Sequence, residues 1–127
     1  MKKQVINHPD MPEPYGAYST VVRAGDFLFV SGQGGIVPET GEKAGEDLKS
    51  QARQAFRNLQ TSLACAGSSM SDVVKVTVWL GDADDRATLD ELFGEYFPQE
   101  PPARSMPIIE LPMGFLVAIE ATAIARS

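Results

Sequence analysis

Two charged residues near the C-terminal end of this 127-residue chain stand in apolar surroundings, and they are the first candidates for chemistry. Arg104 lies in Pro101-Pro102-Ala103-Arg104-Ser105-Met106-Pro107, just ahead of Ile108-Ile109. Proline fixes φ and restricts the residue before it, so the approach is extended. The guanidinium is a rigid fork suited to a carboxylate or a phosphate. Ile108-Ile109 reads as the start of a buried strand, which puts the arginine at the edge of a core. There it suits a structural salt bridge as well as a ligand clamp. Glu120 lies within Leu116 to Ala125, which reads as a strand apolar on both faces. A buried carboxylate has to be paired, hydrogen-bonded or protonated. Burial pushes its pKa up and a nearby guanidinium pushes it back, which makes it a candidate proton shuttle near neutral pH. It could equally be the structural partner of a backbone amide or of another subunit's arginine.

Tyr18 and Ser31 are weaker signals on their own. Tyr18 suits core packing with a satisfied hydroxyl. Ser31 closes a strand before a glycine loop, where serine serves as a turn former. The same position would aim its hydroxyl and the Gly32 amide into a cleft. Asp90 reads as a solvated helix residue and Cys65 as core, while Tyr15, Trp79 and Met106 read as packing or subunit contacts.

The inventory excludes several other chemistries. One histidine, His8, and one cysteine, Cys65, are too few for a zinc site of nitrogen and sulfur ligands. A serine triad would have to recruit His8 from a proline-flanked segment. Gly32-Gln33-Gly34-Gly35 lacks the lysine and Ser/Thr of a phosphate loop, and Val37 stands where the dinucleotide fingerprint needs its third glycine. No phosphate-cofactor site is therefore recognisable. The net charge of −6 argues against a nucleic-acid partner, because a phosphate-backbone grip needs a basic stripe. No apolar run is long enough to span a membrane, and Met1-Lys2-Lys3-Gln4-Val5-Ile6-Asn7 lacks the apolar stretch of a signal peptide. With a lone cysteine, these features lead us to expect a cytoplasmic protein.

The elements that must position these residues form a single domain over 1–127. His8 to Gly16 is an extended lead-in. Val21 to Ala24 and Phe27 to Val30 flank Gly25-Asp26, a pair suited to a type II′ hairpin. Val37 to Gly45 reads as a loop. From about Glu46, the residues Leu48, Ala52, Ala55, Phe56, Leu59, Leu63 and Ala66 follow a helical period, with Gly67 at the cap position. Val74 to Leu80 alternates as a strand with one face in the core. Aspartates 82, 84 and 85 introduce a second helix, with Leu89, Leu92, Phe93, Tyr96 and Phe97 as its stripe. Ser105 to Leu111 and Phe115 to Ala125 read as the last strands, the first an edge or bulged strand because of Pro107. Two helices would cover one face of a mixed sheet, and self-association would cover the other.

Seven segments in order, Gly16-Ala17-Tyr18-Ser19, Phe29-Val30-Ser31-Gly32-Gln33, Gln51 to Gly67, Asp72-Val73-Val74-Lys75, Tyr96-Phe97, Pro102-Ala103-Arg104-Ser105 and Ile119-Glu120-Ala121, resemble the Rid family, also called YjgF or L-PSP. The resemblance runs from about Gly16 to Ala125. It implies an α+β, chorismate-mutase-like (YjgF-like) fold, a homotrimer, and active sites in the clefts between subunits. It also implies hydrolysis of 2-imino acids and their enamine tautomers, of the 2-iminopropanoate and 2-iminobutanoate type, to 2-oxo acids and ammonia without metal or cofactor. In that scheme Arg104 clamps the substrate carboxylate and Glu120 handles water and protons. Tyr18 orients the substrate, and Ser31 and the Gly32 amide offer hydrogen bonds. The chain departs from the family pattern at Ala17, at Gly34-Gly35 where Ile-Pro is common, at Asp90 where asparagine is common, at Met106 and at Ala118. These changes leave two other readings open: a pathway-specific deaminase resembling 2-aminomuconate deaminase, and a non-catalytic trimer that binds 2-oxo acids or acts as a chaperone. Ribonuclease activity fits least, given the acidic chain and its single histidine.

Overall fold

In a computed structural model, which describes residues 1–126, the chain builds one twisted mixed sheet with two helices on one side. The strands are β1 (Lys3–Ile6), β2 (Val21–Ala24), β3 (Phe27–Gly34), β4 (Ile36–Val37), β5 (Glu42–Lys43), β6 (Val73–Leu80), β7 (Ala103–Ser105) and β8 (Val117–Ile124). The helices are α1 (Leu48–Cys65) and α2 (Arg86–Tyr96). Six strands lie in the order β1-β2-β3-β8-β6-β7, and β4 and β5 pair as a small separate ribbon. All neighbours in the main sheet are antiparallel except β6 and β7.

The local rules of the sequence account for most of this. Gly25 has φ +59° while Asp26 keeps a negative φ, as a type II′ turn requires. Asp47 caps α1 by accepting from the Ser50 amide at 3.1 Å, and Gly67, at φ +78°, follows its last turn. Asp82 caps the short 3₁₀ turn Ala83–Asp85, accepting from the Asp84 amide at 2.9 Å, and α2 continues from that turn. The α1 stripe Leu48, Ala52, Ala55, Phe56, Leu59 and Leu63 is buried against Leu28, Val30, Val117 and Ile119. Phe56 stacks on Tyr96 at 4.5 Å between centroids, and Arg53 pairs with Glu95 at 3.0 Å, so the two helices are clipped together.

Three expectations need correction, and one strand is new. The new strand is Lys3–Ile6, which adds an edge to β2 ahead of the lead-in. The presumed loop from Val37 to Gly45 contains three of the four residues of the β4–β5 ribbon. The strand expected over Ser105 to Leu111 shrinks to Ala103–Ser105. Beyond it only a parallel bridge between Leu80 and Ile108 survives, since Pro107 has no amide hydrogen to give the ladder. Ile108 and Ile109 are accordingly exposed, not buried.

Only one face of the sheet is covered. On the other, Phe27 and Phe29 remain 44% and 48% exposed, in line with the apolar surplus that the strand pattern foretold. The C-terminal end is held by Asp72, a buried carboxylate that accepts from Arg126 Nε at 2.9 Å and from the Ser68 and Ser69 hydroxyls at 3.1 and 3.2 Å. The Arg126 guanidinium holds this carboxyl below the ordinary aspartate range, against burial that pushes it the other way. A depressed folded pKa stabilises the fold above the ordinary carboxylate range, and that contribution is lost as pH falls through the folded value. Asp72→Asn should therefore lower the melting midpoint by a few degrees at neutral pH, and the difference from the parent should vanish in acid; thermal unfolding followed across pH checks this.

Candidate functional site

Between Val30, which faces Ala121, and Gln33, which faces Ile119, β3 carries one residue more than β8. Ser31 and Gly32 thus stand together opposite a single residue, Glu120. Such a bulge twists a strand and re-aims its side chains. Three of the residues singled out from sequence are brought together in this way within one chain.

Hydrogen bonds fix the bulge from both sides. The Ser31 hydroxyl donates to the Ser19 carbonyl at 2.6 Å, and its amide donates to the Thr20 carbonyl at 2.9 Å. These bonds draw the segment bearing Tyr18 against the end of β3, where the Tyr18 ring meets Tyr15 edge-on at 6.0 Å. Burial, more than the neighbouring Tyr18, pushes the Tyr15 phenol above its usual pKa. From the helix side, buried Gln33 donates to the Ser31 carbonyl at 3.0 Å. Asn58 of α1 donates to the carbonyls of Gly34 and Ile36 at 3.1 and 2.8 Å. Gln51, wholly buried, accepts from the Leu116 amide at 2.9 Å and donates to Gly45 at 3.0 Å, which locates the entry to β8. Gly35 lies so close to α1 that a Cβ there would come within 2.4 Å of the Gln51 carbonyl oxygen. Gly35 is thus tied to how this chain seats its helix.

The residues missed from sequence are Gln33, Gln51, Asn58 and Lys75. Amides on a helix face read as solvated positions; here, among buried neighbours, Gln51 and Asn58 support the ends of β3 and β8. Lys75 lines a half-open cleft of about 170 Å³ together with Phe29, Thr77, Thr122 and Glu120. Its ammonium donates to the Ser105 hydroxyl at 2.9 Å. Glu120 is half-buried in that cleft, on the uncovered face, so the strand is not apolar on both sides as expected.

Arg104 is elsewhere. It is paired with Val76, whose side chain enters the core, whereas Glu120 is paired with Thr77 on the opposite face. The Arg104 guanidinium lies over the Phe93 ring, 4.7 Å from its centroid, and Nη1 donates to Asp90 Oδ1 at 2.8 Å. Asp90 is exposed, as expected, but it is paired as well as solvated. A single chain therefore does not place Arg104 and Glu120 in one cavity. Tyr18 and Gly32 line a different, larger groove of about 1210 Å³, which Arg57, Asn58 and Met113 also border. Among the described residues, no cluster of histidine, cysteine, aspartate or glutamate is arranged to hold a metal, and no helix is long and apolar enough to cross a membrane.

Comparison with known proteins gives these residues a context. The family model described as Endoribonuclease L-PSP matches residues 8–125. A RutC family protein of Pyrococcus horikoshii is 44% identical over 122 residues, covering 95% of this chain and 97% of the relative. A 2-iminobutanoate/2-iminopropanoate deaminase of Rattus norvegicus is 37% identical over 96% of this chain and 90% of its own length. Among solved structures, RidA from the Antarctic bacterium Psychrobacter superposes with a TM-score of 0.91 at 38% identity, covering 95% of this chain and 98% of that one.

The support beneath the bulge is open to test. Asn58→Ala strands two carbonyls that Asn58 now satisfies, and should cost roughly 2 kcal/mol of unfolding free energy. Gly35→Ala should cost at least as much through its clash with α1. Chemical denaturation measures both.

Proposed function

Because the chain belongs to the L-PSP, or Rid, family, within which relatives are named imine deaminases, we propose that it hydrolyses reactive 2-imino acids of the 2-iminopropanoate and 2-iminobutanoate type to 2-oxo acids and ammonia. The observation that carries this reading is the bulge that gathers Ser31, Gly32 and Glu120 at one point of the sheet. In the reaction, water oxygen bonds to the imine carbon, both water protons pass in turn to nitrogen, and the carbon–nitrogen bond breaks as the oxygen becomes the carbonyl and ammonia leaves. Glu120 takes the water proton and returns it to the departing nitrogen. Ser31 and the Gly32 amide hydrogen-bond the substrate beside it, and Tyr18 packs against it. Arg104 holds the carboxylate, using donors beyond the one given to Asp90. No metal or cofactor takes part.

Arg104 and Glu120 occupy opposite faces of the sheet, so this scheme draws them from different copies of the chain, in a homotrimer with sites in the clefts between subunits. The exposed Phe27 and Phe29 supply apolar area for such contacts. We place the protein in the cytoplasm, where enzymes that release enamines from amino acids generate its substrate. The family model's name mentions ribonuclease, but a net charge of −6 and a single histidine favour a small acid over a phosphate backbone.

An amino-acid oxidase acting on alanine or 2-aminobutanoate generates the imine in situ. The protein should speed its disappearance, and no acceleration would remove the proposal. Arg104→Ala should lower kcat/KM about a hundred-fold, mostly through KM. Glu120→Gln should lower kcat by a similar factor with KM little changed. Sedimentation should give the mass of three chains.

A further inference from the structure

We propose that Asp90 is a specificity-determining residue: its carboxylate, hydrogen-bonded to the Arg104 guanidinium, biases the site toward monocarboxylates and against dicarboxylates. This rests on the reading of Arg104 as the substrate clamp. The geometry is direct. Asp90 Oδ1 accepts from Arg104 Nη1 at 2.8 Å, while Phe93 supports the guanidinium plane from below. The arginine therefore enters the reaction with one of its donors engaged and with a negative charge already at its side.

Several consequences follow from that charge. An incoming carboxylate gains the attraction of the guanidinium less the repulsion of Asp90. A second carboxylate on the same ligand meets the repulsion again without a second arginine from this segment. Asp90 stands on the exposed surface of α2 between Leu89 and Phe93, both of which face the core, so it contributes charge without filling the core. It offers no steric filter: its discrimination is electrostatic and falls with salt. Asparagine at this place would keep an oxygen for Nη1 and remove the charge. The two residues thus separate the hydrogen bond from the field.

Calorimetric titration with stable 2-oxo acids reads this without requiring turnover. The probes are 2-oxobutanoate, with one carboxylate, and 2-oxoglutarate, with two. In Asp90→Asn the monocarboxylate should bind about three-fold more tightly and the dicarboxylate about ten-fold more tightly at low salt. The gap should close in about 0.5 M salt. Asp90→Ala should relax the preference in the same direction, even if loosening Arg104 weakens both ligands. An unchanged ratio between the two acids in both variants would overturn the proposal while leaving the clamp in place. If the parent protein binds neither acid, or Arg104→Ala binds them as well as the parent, the clamp itself fails and the proposal falls with it.

Discussion

Side chains on a strand alternate between faces, and in this molecule that alternation separates two charges that lie close together in the strand ladder. Arg104 is level with Val76 and Glu120 with Thr77, one residue further along the same strand. A single step of register is enough to send one side chain to the helix side and the other to the bare side. The core depends on that same alternation, since Val76, Val78, Leu80, Val117, Ile119 and Ala121 all face the helices. Sliding either strand to reunite the charges would turn the core outward. The separation is therefore as firmly held as the fold, and a site that used both charges would have to take them from two copies.

Within one chain the two groups are held separately. On one side, buried amides of α1 hold the end of β3 and the entry to β8 while the Ser31 hydroxyl ties the bulge to Ser19, so that Ser31, Gly32 and Glu120 keep their relation. Unmade hydrogen bonds to those carbonyls would be costly in the interior, which is why the amides constrain as well as decorate. On the other side, an aromatic ring and a carboxylate of α2 orient the guanidinium at the sheet edge.

The helices, the II′ hairpin, the central strands and the uncovered face were legible in the sequence because each rests on local periodicity or turn chemistry. Leu48 to Leu63 and Val76 to Leu80 read as they are found. The strand Lys3–Ile6 was not legible: it has four residues and its main support is pairing with β2, a long-range contact that composition does not announce. The short β7 was overextended because Ile108-Ile109 looked apolar enough for a strand, while the missing amide of Pro107 ended it. In the site, Ser31 and Glu120 could be named from their types and neighbours. Their meeting could not, since it depends on an extra residue in β3. Asp90 read as a free surface aspartate because its arginine partner is fourteen positions away and joined to it only by the fold. Nor could Gln51 and Asn58 be told from ordinary helix-surface amides, as their partners lie on other elements.

The brevity of β7 has an effect beyond the site. It forms one rim of the sheet, three residues long, with Pro102 before it and Pro107 after it. A rim of unpaired backbone groups is a template on which foreign strands can grow, and runaway growth of that kind ends in fibrils. Here a docking strand would find too few consecutive amides and carbonyls to register, and prolines without amide hydrogens at either end. The same prolines that straighten the approach to the arginine thus help to keep the protein from polymerising through its own edge.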